Sequence, residues 1–212
     1  MKNQKIIEAL QWRFATKIFD SSKKVSDADL KAILESARLA PSSFGVEAWK
    51  FIVVENPEIR AKLRAVAYDQ PKVTDASHLV VLARRTDSEN IVPELIARTA
   101  TAQGKTEDDL VGLKKMVDTT VTYKHAANTF DAWAGAQTYI ALGIMVETAS
   151  LLGIDNGPME GFDPAHVDEI LGLKAKNLAS VTMLALGYRG DDPYAKIPKT
   201  RRDFDEVVEF VK

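Results

Sequence analysis

The spacing of apolar positions changes along the chain, and it predicts helices alternating with a few strands. Residues 3–12 form an amphipathic opening segment and are predicted helical. Ser26 followed by Asp29 is a capping-box pattern with aspartate in place of the usual Glu or Gln, and Leu30, Ile33, Leu34 and Ala37 follow at helical spacing until Pro41. KFIVVE, 50–55, is a buried strand. Asn56 with Pro57 then starts a helix whose apolar stripe is Ile59, Leu63 and Val66. HLVVLARR, 78–85, is a second strand. Residues 91–129 are charged and helical, with Thr106 before Glu107, Asp108 and Asp109 as a start signal, and are expected to form an excursion from the core. A long apolar segment, 132–154, stops at Gly153. Asp163 and Pro164 open a short helix that ends at Gly172. ASVTMLALGY, 179–188, is a third strand, and the tail begins irregular and ends amphipathic. This alternation predicts an α+β fold, or a mixed sheet with helices around it.

The 132–154 segment is long enough to raise the question of a membrane span. Gln137, Thr138, Glu147 and Thr148 interrupt it and no Lys/Arg flank anchors it, so a buried core helix is expected. Its small residues Ala134, Gly135, Ala136, Ala141 and Gly143 allow close approach of another backbone, as at a subunit interface. The opening MKNQKIIEALQW holds no apolar run long enough for a signal peptide, so a soluble, cytoplasmic protein is expected. The 212 residues suffice for one domain spanning 1–212. A net charge of −2 gives no reason to expect a nucleic-acid partner. With no cysteine, disulfides, thiolate metal sites and cysteine nucleophiles are excluded.

The chain has no G-x-G-x-x-G, P-loop, H-E-x-x-H or G-x-S-x-G motif. His78, His125 and His166 share no metal-ligand spacing, and each is read as structural, so no metal is expected. Arg13 and Lys17 lie four residues apart with no acid between them, where like charges repel on a helix. Taken alone, they are either solvated helix-end cations or part of an anion site. KTRR, 199–202, has the same two readings.

Five segments in order resemble the FMN-dependent nitroreductase family. They are RFATKIF at 13–19, SARLAPSSFGVEAWKFIVV at 36–54, YDQPKVTDASHLVVL at 68–82, GPMEGFD at 157–163 and IPKTRR at 197–202. Each is weak alone, but together they cover nearly the whole chain. The resemblance implies a central, mainly antiparallel sheet flanked by helices, in an intertwined homodimer with exchanged C-terminal tails. It implies bound FMN, with NADH or NADPH as co-substrate. Hydride passes through flavin N5 to nitroaromatic, quinone or related small acceptors in a ping-pong cycle, which needs no separate dinucleotide site. A non-catalytic flavin carrier or sensor, and an enone reductase or dehalogenase of the same family, stand as alternatives.

The resemblance also implies roles for residues. Arg13, Lys199 and Arg201 hold the phosphate, and Phe14 and Ala15 belong to the same binding segment. Lys17 and Lys72 face the pyrimidine edge, where cations favour the reduced anion. Pro41, Ser42 and Ser43 contact the flavin of the other subunit, and Asp69 and Gln70 meet the ring. Pro158, Met159, Glu160 and Gly161 form a tight turn whose backbone N–H groups approach N5. Glu160 is positional there rather than catalytic, since the flavin does the chemistry. Phe14, Phe44 and Tyr68 are expected as substrate-side walls, with core packing as the competing role. Residues 91–130 are expected to form a helical cover. Ala15 replaces a common serine, Asp69-Gln70 an asparagine, and Gly45, Glu47 and Ala48 the usual Asn, Gln and Pro. Trp49 and Trp133 are read as packing residues.

Overall fold

Strand β2 (His78–Arg85) shows why the sheet is central. Val80 and Leu82 are buried on one face and Leu79 and Val81 on the other, so both faces must be covered. The computed structural model describes residues 2–212. Its four strands are β1 (Trp49–Val54), β2, β3 (Asp155–Met159) and β4 (Leu178–Gly187). They form one antiparallel sheet in the order β1-β2-β4-β3. The nine α-helices of the described residues are α1 (Lys2–Trp12), α2 (Asp27–Arg38), α3 (Pro57–Ala65), α4 (Lys72–Asp75), α5 (Ser88–Gln103), α6 (Val111–Ala126), α7 (Phe130–Leu151), α8 (Pro164–Leu171) and α9 (Phe204–Val207). The α+β class with a mainly antiparallel sheet is as expected.

The predicted caps form. Ser26 Oγ accepts the Asp29 N–H, Asn56 accepts the N–H groups of Glu58 and Ile59, and Asp163 accepts that of His166. Gly153 and Gly172 take positive φ after α7 and α8. Helix α7 is the buried core helix: Ala141, Met145 and Ala149 pack with Ile33 and Ala37 of α2 and with Val80, Leu82, Leu184 and Leu186 of the sheet. No described helix is long and apolar enough to cross a membrane. On the opposite sheet face, Leu63 of α3 and Val167 of α8 pack on Leu79, Val81 and Met183.

One expectation needs correction. DNGPM, 155–159, is a fourth strand; the predicted turn begins only at Glu160. Its glycine and proline mask the strand signal, and proline is tolerated because β3 is an edge strand. The start signal read at Thr106 does divide the helical segment 91–129. The segment breaks at Gly104, which takes positive φ, and Thr106 opens a short turn before α6 begins at Val111. Helices α5 and α6 share their own cluster, with Ile91, Leu95, Ile96, Val117 and Val121 packed against Val46, Ala48 and Phe130. The amphipathic tail is helical only over α9.

Candidate functional site

The two ends of the chain meet along the outer edge of β3. The Thr16 N–H donates to the Asn156 carbonyl at 3.1 Å, and Phe19 bridges Arg189. Gly157 permits this approach, because a Cβ there would lie 2.7 Å from the Thr16 carbonyl oxygen. The returning segment is tied to the same stretch by Asp192, whose buried carboxylate accepts the N–H groups of Lys17 at 2.8 Å, Ile18 at 3.1 Å and Tyr194 at 3.0 Å. Burial alone would push the Asp192 carboxyl up. These donors and the Lys17 charge outweigh it and hold the group below the usual carboxylate range. Buried Asp155 accepts from the Arg189 backbone N–H at 2.9 Å and from its Nε at 2.7 Å. The Arg189 guanidinium lies over the rings of Trp12 and Phe14, 4.4 and 4.7 Å from their centroids.

Cations crowd here. Burial, then repulsion from Arg201, lowers the Arg13 pKa. Burial, then Arg13, Arg201 and Arg189, lowers that of Lys199. Lys199 Nζ donates to the carbonyls of Leu10 at 2.7 Å and Gln11 at 2.5 Å, where the negative end of α1 favours a cation. Among the described residues, no carboxylate pairs with Arg13, Lys199 or Arg201. A second pair lies beside them. Lys72 is buried, and its side chain passes Gly157, since a Cβ on that glycine would lie 3.5 Å from Lys72 Cδ. Burial, then the Lys17 charge, lowers the Lys72 pKa. The Lys17 ammonium sits 3.4 Å from the centroid of the Tyr194 ring. Buried Arg60 braces this region by donating to the carbonyls of Val73, Ala76 and Ser77 at the end of α4.

From the last residue of β3 the chain turns sharply, and residues 159–162 are tied at four points. Thr182 Oγ1 donates to the Met159 carbonyl at 3.0 Å, the Phe162 N–H to the Glu160 carbonyl at 2.9 Å, Gln70 Nε2 to the Gly161 carbonyl at 2.7 Å, and the Tyr139 hydroxyl to the Glu160 carboxylate at 2.5 Å. Among the described residues, neither the Glu160 nor the Gly161 N–H finds an acceptor. Pro158 is half-buried on β3 and Met159 is buried. Tyr68 is 76% exposed, with its ring edge beside Gly161. Asp69 accepts from Arg64 Nε at 2.7 Å.

The loop carrying Pro41, Ser42, Ser43 and Phe44 lies elsewhere. The Ser43 N–H donates to Gln137 Oε1 at 2.9 Å, Ser42 Oγ accepts the Glu47 N–H at 2.9 Å, and Arg98 of α5 donates to the Gly45 carbonyl at 2.8 Å. Gln137 and Tyr139 are two residues apart on α7 and so point to opposite sides of it. Within one chain, the 41–45 loop and the Glu160 turn are therefore on different sides of that helix. Phe44, Glu47, Tyr68 and Asp69 all take positive φ, four of the six non-glycine residues that do so among the described residues.

The structure thus brings Arg13, Phe14, Ala15, Lys17, Lys72, Lys199 and Arg201 to the β3 edge, and Gln70, Tyr68, Glu160 and Gly161 to the turn. Sequence reasoning missed Asp155, Arg189, Asp192, Tyr194 and Tyr139. Their distant partners are 21 to 177 residues away, and no local spacing marks them.

The sequence profile described as the Nitroreductase family matches residues 10–188. Similar curated proteins include SERP2086 of Staphylococcus epidermidis, 38% identical over 99% of this chain and 98% of its own, and YfkO of Bacillus subtilis, 39% identical over 97% of each. Both are provisionally named NAD(P)H nitroreductases. Among solved structures, a nitroreductase-like protein of Streptococcus mutans shares the fold with a TM-score of 0.86 at 20% identity, covering 100% of both chains. A provisionally named nitroreductase of Exiguobacterium sibiricum, solved in complex with FMN, has a TM-score of 0.79 at 21% identity over 97% of each. An enone reductase of gut-bacterial fatty acid metabolism, CLA-ER, has a TM-score of 0.79 at 22% identity over 98% of each.

Proposed function

The chain belongs to the nitroreductase family, and from that premise we propose that it is an FMN-dependent NAD(P)H oxidoreductase. The observation that carries the reading is the cation cluster. Arg13, Lys199 and Arg201 crowd together without a carboxylate partner, which is costly unless an anion completes the site. A phosphate monoester fits that donor set, and arginine can meet two of its oxygens at once. Lys17 and Lys72 would lie at the pyrimidine edge of the ring, and the free N–H groups of Glu160 and Gly161 at its N5 end. Bound there, FMN would supply hydride chemistry, in from NADH or NADPH and out to a nitroaromatic, quinone or related acceptor in a ping-pong cycle. The chain's own part is to orient the ring, to stabilise negative charge at its pyrimidine edge through Lys17 and Lys72, and to keep the turn donors fixed. Use of reduced nicotinamide fits a cytoplasmic location.

The same reading makes the protein a homodimer. Ile6, Ile7, Leu10 and Trp12 of α1, Tyr139 and Ile140 of α7, and Phe204, Val207, Phe210 and Val211 of the tail are all exposed in the isolated chain. The outer edge of β1 is unpaired, and an extended tail from a second copy would cover it. The loop with Ser42, Ser43 and Phe44 would then serve the partner's flavin, because it cannot reach its own Glu160 turn around α7. Arg98 ties the α5–α6 hairpin to that loop, which makes the hairpin a cover for the partner's site.

The test is the visible spectrum of the purified protein, before and after anaerobic NADH or NADPH. The expected result is flavin bands that bleach and return on adding a quinone or nitroaromatic. Bands that persist with both nucleotides would favour a carrier or sensor, and a colourless chain that takes up no FMN would overturn the reading. Deleting residues 203–212 should abolish dimerisation and FMN retention together, as read by sedimentation and flavin release. A truncated monomer that stays yellow would overturn the tail-exchange part.

A further inference from the structure

We propose that Tyr139 is a positioning residue for the turn end of the site, fixing the Glu160 carboxylate against the 159–162 turn through its phenolic O–H. The inference rests on the reading above, in which that turn faces flavin N5. Glu160 is exposed and follows an edge strand, so its side chain would otherwise sample several rotamers in water. Instead its Oε1 accepts the Tyr139 hydroxyl from the adjacent face of α7, 2.5 Å away. The tie comes from a buried core helix, whereas its neighbours come from β4 and from Gln70. Burial first, and then the Glu160 hydrogen bond and charge, push the phenol up to about 12, so Tyr139 stays a donor across the physiological range.

The consequence is electrostatic. The proposed ring site has cations at one end, Lys17 and Lys72, and one held carboxylate at the other. A fixed negative charge opposes electron uptake nearby, and the two lysines favour it at the far edge. Tyr139 therefore sets where added electron density settles, and keeps the Glu160 and Gly161 N–H groups in register by immobilising the residue that carries the first of them.

The experiment compares Tyr139→Phe and Glu160→Gln with the parent holoprotein. Tyr139→Phe deletes one hydroxyl from a 40% exposed ring, so folding should be retained. FMN affinity should stay near that of the parent, because the phosphate cations are untouched. The flavin midpoint potential should move positive in both variants, and more in Glu160→Gln. Bleaching by NADH or NADPH should slow by about tenfold in Tyr139→Phe, with the loss in the rate at saturation rather than in KM. Ultraviolet titration gives a readout independent of flavin. The Tyr139 phenol should ionise near 12, and Glu160→Gln should bring it down. A Tyr139→Phe protein that binds FMN with unchanged potential and unchanged bleaching overturns this proposal and leaves the site reading standing. An unmoved tyrosine titration in Glu160→Gln also overturns it. A parent chain that takes up no FMN overturns the site reading and this proposal with it.

Discussion

At the β3 edge, burial and then the Arg201 charge depress Arg13, and burial and then the charges of Arg13, Arg201 and Arg189 depress Lys199. A few residues further along the same strand, the 159–162 turn is held by hydrogen bonds to Thr182, Gln70 and Tyr139, and its two free groups are backbone N–H donors. The first region is under electrostatic stress and gains from an anion. The second is relaxed and already in place. The first should therefore govern whether FMN binds, and the second how it reacts once bound. Cations at the edge are more valuable for affinity than for stability, and the bonds at the turn are the reverse.

Arg13→Ala should test this most sharply. Losing a charge-assisted, forked contact to phosphate should weaken FMN binding on the order of 100-fold, about 2.8 kcal/mol, by flavin fluorescence titration. The melting temperature of the flavin-free chain should hold or rise, because repulsion with Arg201 and Lys199 is relieved. A drop in stability with affinity intact would reverse the contrast. Gly157→Ala comes next. Its Cβ meets the Thr16 carbonyl, so urea unfolding should show a loss of about 2 kcal/mol as the 13–19 segment is pushed off β3. FMN affinity should fall too, since Arg13 and Lys17 ride on that segment. Gln70→Leu should cost about 1 kcal/mol of stability by removing the donor to the Gly161 and Ala67 carbonyls. It should slow bleaching while leaving the FMN dissociation constant near the parent value.

The smallest effect is in pH. Lys72 and Lys199 have folded-state pKa values below the ordinary lysine value of 10.5. Protonation is thus disfavoured in the flavin-free fold relative to the unfolded chain. The stability of the flavin-free chain should rise as pH climbs through the lowered values toward 10.5, and be lost again as pH falls through them. FMN affinity should decline across that same alkaline window, as the cations that meet the phosphate and the ring lose their protons. Opposite slopes in the two titrations would sharpen the assignment of stress to the cation end; parallel slopes would break it.

The cations drew a role only from the family resemblance: taken alone, Arg13 with Lys17 and Lys199 with Arg201 read equally as solvated charge, and Lys72 carried no local signal. The caps at Ser26, Asn56 and Asp163 were legible because capping depends on neighbours two or three residues away. β3 was hidden, because Gly157 and Pro158 are poor strand formers and are tolerated only where Thr16 crosses one side and solvent meets the edge. Arg189 was missed, because nothing near it in sequence names Asp155, Trp12 or Phe14. The 41–45 loop was assigned to the site by resemblance, and only the fold reveals that Gln137 holds it on the side of α7 away from Tyr139.

By itself, then, the sequence determined the α+β composition, the core helix α7 and the helix ends. Those features rest on periodicity and on interactions within a few residues, which linear order records. The tertiary structure alone decided that segments 13–19 and 189–201 interleave along β3, that Asp192 and Asp155 pin them, and that Tyr139 reaches Glu160. Such contacts depend on how the packed layers bring distant segments into register, and burial and hydrogen-bond geometry fix that only once the whole core has formed.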